Sequence, residues 1–139
     1  MPEDIKGLLS AGAQARREGR LEDALCAYQR AADQCRENGQ DLVAAHTVRH
    51  LGDIYRELGK KDEAEPLLKE AVSIYRRSLD TKILDFANAL RPLALLYAST
   101  GNTKSAQALW LEARTMYSAI NVADGVTECD AHLKAGSIP

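Results

Sequence analysis

The chain is short of several things, and each shortage narrows what it can be. Aromatic residues make up only 5% of it. Tyr28, Tyr55, Tyr97 and Trp110 recur in core-like positions, so they read as packing rather than as a base-stacking surface. Cysteine occurs three times, at Cys26, Cys35 and Cys129. The number is odd and no CxxC pair exists, so neither a disulfide framework nor a zinc knuckle is indicated. The three read as small buried or half-buried apolar residues. Free thiols fit a reducing compartment, so a cytoplasmic location is expected. No stretch approaches the roughly 18 apolar residues of a membrane span. The opening Met1-Pro2-Glu3-Asp4-Ile5-Lys6 has no basic leader followed by an apolar run, so no signal peptide is expected. Charge of one sign is also scarce. The net charge of −2 lacks the basic excess of a nucleic-acid or membrane-surface binder. Gly-rich phosphate loops, nucleophile elbows, HExxH motifs and catalytic carboxylate pairs do not occur. No catalytic residue, metal or cofactor is therefore expected, and the chain reads as a non-enzyme.

What is present points to one folded domain over residues 1–139. The chain is 45% apolar and 27% charged, a balance normal for globular proteins. Three segments align at offsets of 40 and 42 residues: Gly12 to Ala31, Gly52 to Ala71 and Ala94 to Ala113. Six columns agree, namely Gly12/Gly52/Ala94, Ala15/Tyr55/Tyr97, Gly19/Gly59/Gly101, Ala24/Ala64/Ala106, Tyr28/Leu68/Trp110 and Ala31/Ala71/Ala113. The columns Leu8/Val48/Leu90 and Ala11/Leu51/Leu93 are apolar too. The first apolar columns share one helical stripe. The small residue within that stripe lets a second helix approach closely. The third-column glycine ends the first helix, where a left-handed residue costs glycine least.

This pattern resembles the tetratricopeptide repeat family, with Leu51-Gly52-Asp53-Ile54-Tyr55-Arg56-Glu57-Leu58-Gly59 opening the best match. The long period is similar to that of kinesin light chains. The resemblance implies an all-α solenoid of three helix pairs, about 5–38, 41–78 and 83–118, in a right-handed superhelical stack. Helices are expected at about 4–18, 21–37, 41–58, 61–78, 83–99 and 103–118. A C-terminal helix at 121–135, with Asn121 as its N-cap, covers the last pair. Pro92 removes a backbone hydrogen bond inside the fifth helix, so that helix either kinks or starts later.

The resemblance further implies that the first helices line a concave groove. The helical wheel puts Lys6, Arg16 and Arg17 on it from the first repeat. His46, Arg49, Asp53, Arg56 and Glu57 follow from the second, and Asn88, Arg91 and Leu95 from the third. Six of these are basic and two acidic, a concentration of positive charge in a chain whose total is −2. Guanidinium groups fork onto carboxylates and phosphates. The reading is an adaptor that holds an acidic peptide, helix or chain terminus. The bland alternative is that these arginines solvate an exposed face. Another is a structural protein that self-associates, as a homodimer or in a larger complex, through exposed helix faces. Some family members clamp a C-terminal carboxylate with Lys, Asn and Arg, but Leu9, Ala13 and Pro92 occupy three of those sites here. Kinesin light chains carry paired Asn where Arg91-Pro92 stands. Neither preference is carried over. His46 and His50 lie one turn apart, but no convincing third metal ligand accompanies them.

Overall fold

The computed structural model describes residues 4–136. Among them every regular element is a helix: α1 (Ile5–Arg17), α2 (Leu21–Glu37), α3 (Asp41–Glu57), α4 (Lys61–Arg77), α5 (Ile83–Ser99), α6 (Thr103–Ala119) and α7 (Ala123–Gly136). The all-α class and the three helix pairs stand as expected.

The turns account for the rhythm. Gly19, Gly39, Gly59 and Gly101 have φ of 77°, 67°, 77° and 81°, and Asn121 has 60°. After each, the next residue donates its backbone N–H to the carbonyl five positions back. Arg20 bonds Ala15, Gln40 bonds Cys35, Lys60 bonds Tyr55, Asn102 bonds Tyr97 and Val122 bonds Tyr117, at 2.8–3.0 Å. This closure satisfies carbonyls that a helix end would otherwise orphan. Asn121 corrects the expectation drawn for it. It closes α6 in the left-handed region, which asparagine tolerates better than most residues, and α7 starts two residues later.

Position 79 lies twenty residues after Gly59, where the spacing predicts another glycine, and Leu79 stands there. A leucine disfavours positive φ. The chain instead crosses from Arg77 to Ile83 by a longer link, in which the Thr81 hydroxyl donates to the Tyr75 carbonyl at 2.7 Å. This link explains why the second period is 42 rather than 40.

The packing divides into two compact units, one ending at Ile74 and the other beginning at Tyr75. In the first, α1 packs on α2 and α2 on α3. A methyl placed on Gly12 would meet the Tyr28 ring at 3.0 Å, and one on Gly52 would meet Leu68 Cγ at 2.8 Å. The small and bulky columns are therefore two halves of one contact. Tyr28 shares its core with Ala15, Ala24, Leu25, Leu51 and Ile54. Cys35 is buried, but Cys26 is exposed, which corrects its reading as a buried or half-buried residue. It lies two positions before the buried Tyr28, a separation that puts it on the opposite side of α2.

In the second unit α5 packs on α6 and α6 on α7. Trp110, 2% exposed, stacks on His132 of α7 with ring centroids 4.1 Å apart and planes 3° from parallel. Gly125 lies against the Tyr117 ring with no room for a methyl, and Cys129 is buried. α5 begins at Ile83 and includes Pro92, so the later start does not hold.

Replacing Gly52 tests the central contact. Alanine gains up to about 1 kcal/mol of helix propensity, which partly offsets the clash with Leu68. Gly52→Val forfeits most of that gain and adds bulk, so urea denaturation is expected to show a loss of about 2–3 kcal/mol. An unchanged midpoint would contradict this packing.

Candidate functional site

In the first unit, the last turns of α1 and α3 bring Arg16, Arg49, His50, Asp53, Arg56 and Glu57 together. Asp53 is the pivot, 6% exposed in a helix of mostly apolar buried residues. Its Oδ2 accepts from Arg16 Nη2 at 3.0 Å, and its Oδ1 accepts from Arg56 Nε at 2.9 Å and Nη2 at 2.8 Å. Burial alone would push this carboxyl up. Arg56 and Arg16 outweigh it and hold Asp53 below the usual carboxylate range. Arg16 Nη2 also donates to Glu57 Oε1 at 2.7 Å. Burial costs the Arg16 cation, but Asp53 and Glu57 more than compensate and raise its pKa.

His50 sits between two guanidinium groups. Its Nδ1 is 3.1 Å from Arg16 Nη1, and its Nε2 is 3.1 Å from Arg49 Nη2. Tyr28 stacks on its face at 5.3 Å, and His46 meets it edge-on at 4.6 Å. Burial first, then the Arg49, His46 and Arg16 charges, lower the His50 pKa to about 3. The ring is therefore neutral at pH 7, with one acceptor and one donor nitrogen. That single acceptor faces a guanidinium, so His50 directs no lone pair at a metal.

Two other predicted residues of this unit, Arg17 and Lys6, make local contacts. Arg17 is exposed and donates to Gln14 Oε1 at 2.6 Å. Lys6 is exposed in the first turn of α1, where its backbone N–H is capped by Asp4. In the second unit, Arg91 forks onto Glu128 of α7, with Nε 2.6 Å from Oε1 and Nη2 3.0 Å from Oε2. Asn88 Oδ1 accepts from the Tyr117 hydroxyl at 2.6 Å. Leu95 is half-buried further along α5. Asn88, Arg91, Tyr117 and Glu128 share a shallow pocket with Leu84 and Val122.

Glu128 and His50 are the residues that sequence reasoning undervalued. The sequence reading of His50 goes no further than an ordinary surface or groove histidine in place of a metal ligand. Its signal is a spacing: it follows Tyr28 by 22 residues, as His132 follows Trp110. Glu128 had no signal, because its partner lies 37 residues away on another helix.

Residues 6–77, half of the chain, match the Tetratricopeptide repeat profile, and the chain belongs to that family. No sequence among the curated proteins matches it. Among solved structures it is similar to BtubC (BKLC) from P. vanneervenii, with a TM-score of 0.71 and 21% identity over 95% of this chain. It spans 62% of the length of that BtubC chain. The crystal structure of MamA protein gives a TM-score of 0.43 and 20% identity, covering 96% of this chain and 88% of that one. At these identities the BtubC likeness shows the fold alone.

The His50 environment has a measurable consequence. The unfolded residue titrates near 6.5 and the folded one near 3. Between those values the unfolded chain binds more protons, so stability falls as pH drops from 6.5 towards 3. Unfolding free energies from urea denaturation at pH 7 and pH 5 are expected to differ by about 1–2 kcal/mol. The His50→Gln variant should show a flatter profile over the same interval. Equal slopes in both proteins would mean that His50 is not desolvated.

Proposed function

We propose that the chain is an interaction module that takes an acidic peptide, helix or chain terminus on its first-helix groove, chiefly on the N-terminal unit. Tetratricopeptide repeats generally mediate protein–protein interaction, so the class of function follows from the family. The preference for acid rests on one observation. The helical wheel assigns five cations (Lys6, Arg16, Arg17, Arg49 and Arg56) and two carboxylates, Asp53 and Glu57, to the inner faces of α1 and α3. Buried Asp53 fixes two of the guanidiniums, Arg16 and Arg56. Holding them in place beforehand lowers the entropy a ligand must overcome. In the second unit Arg91 has Glu128 beside it, so the excess of cations belongs to the first.

A labelled hexaglutamate peptide serves as the probe, with hexalysine as the control. Hexaglutamate should bind, more weakly at higher salt. Arg49→Glu and, to a smaller degree, Arg91→Glu should weaken it, the former by about tenfold. Binding indifferent to both charge reversals would remove the acidic-groove reading.

Self-association is the second reading, favoured by one feature of the C-terminal unit. Leu79 is fully exposed, and Ile83 and Leu84 are 46% and 43% exposed nearby in sequence, a run of apolar side chains in contact with water. Light scattering is expected to show a dimer that Leu79→Asp dissociates if this run is an interface. A monomer at all concentrations rejects it.

A further inference from the structure

We infer that Glu57 and Glu128 are placeholders, each occupying a groove arginine until a carboxylate of the partner takes its seat. This rests on the acidic-partner reading above and adds how that site is regulated. The two ends of Arg16 Nη2 are unequal. Asp53, with its side chain 9% exposed, meets it from the interior, whereas Glu57, 41% exposed, meets it from the solvent side. Asp53 also holds Arg56, so it is fixed by two guanidinium groups, while the solvent-side seat held by Glu57 is the one a ligand reaches. At Arg91 the seat is two-pronged. Both Glu128 oxygens lie parallel to the guanidinium edge, the geometry that this group offers to any carboxylate.

Two further pairs show what a purely structural ion pair looks like in this chain. Arg36 bonds Glu70 and Arg76 bonds Glu112, each joining successive second helices. These pairs repeat with the fold: the arginines are 40 residues apart and the glutamates 42, the two periods of the sequence. The groove pairs do not repeat. Positions 40 before and 42 after Glu57 hold Arg17 and Ser99, and Glu128 lies beyond the three aligned segments. The repeat therefore does not require them.

Exchange at Arg91 needs only a side chain to turn. α7 itself is held by the Trp110–His132 stack, the Tyr117–Gly125 contact and the Arg114–Asp130 pair. Partly exposed pairs contribute little net stability, so replacing one carboxylate with another is close to neutral. A ligand lacking anionic groups has nothing to exchange, and the placeholders thus sharpen selection for acid.

The test measures hexaglutamate binding by fluorescence anisotropy to the wild type, Glu57→Gln, Glu128→Gln and Glu63→Gln. Glu63 is exposed on the first turn of α4 and controls for the general effect of removing one negative charge. Glu57→Gln and Glu128→Gln should each tighten binding about threefold, and Glu63→Gln should leave it nearly unchanged. In the wild type, the Arg91 Nε–H resonance should shift as peptide is added, a readout that requires no variant to fold. If neither variant tightens binding more than Glu63→Gln and the Arg91 resonance stays still, the placeholder idea fails. Should Arg49→Glu still weaken binding in that case, the groove reading survives. If Arg49→Glu also has no effect, both fall together.

Discussion

At Gly12 and Gly52 the first helix of a pair comes so near to a ring or a branched side chain on the second that no methyl fits freely between them. The rest of the structure depends on this approach. It fixes the separation of the two helices, which determines how far the following first helix lies from the preceding one. That spacing places Arg16 of α1 at 3.0 Å from Asp53 and 3.1 Å from His50 of α3. A looser pair would spread the same arginines over surface and leave Asp53 buried without its cations, a costly state for a carboxylate.

The charge on the first helices is more tightly paired than a helical wheel suggests. A wheel assigns faces but says nothing of who meets whom. Arg16, Arg56 and Arg91 all have carboxylates against them, and in each case the acid comes from a position that the pattern either shares with the arginine's own face or does not cover. Burial of Asp53 makes its pairs part of the fold. Exposure of Glu57 and Glu128 leaves theirs open to competition with water and with other anions. Carboxylates thus meet the arginines in two settings, separated by solvent access rather than by chemistry.

Much of this was legible in the sequence. Helix number, pairing and core columns follow from apolar spacing repeated three times, and a signal repeated three times outweighs local ambiguity. Of the residues the wheel selects, Arg16, Asp53 and Arg56 are joined directly by ion pairs in the first unit. The failures share a cause. Asn121 satisfies two rules at once, since asparagine both caps helix starts and tolerates left-handed backbone. Only the count of twenty from Gly101 separates them. Cys26 was assigned by residue type instead of by its angle from Tyr28. Glu128 depended on a pairing 37 residues long, which no local periodicity encodes.

The two units reuse one packing device with different surroundings, and the contrast locates what is particular to this chain. Tyr28 stacks on His50 with planes 5° apart, and Trp110 stacks on His132 with planes 3° apart. Each aromatic residue closes a second helix against the next first helix, and each histidine follows it by 22 residues. That common part serves the stack, as the burial of both rings requires. What differs is the neighbourhood: His50 has Arg16 and Arg49 within 3.1 Å of its two ring nitrogens. Arg16 is tied into the fold through Asp53, and burial first, then the two arginines and His46, keep the imidazole neutral. Repetition in this chain therefore encodes the fold, and the charged surroundings of His50 are what the repeat does not prescribe.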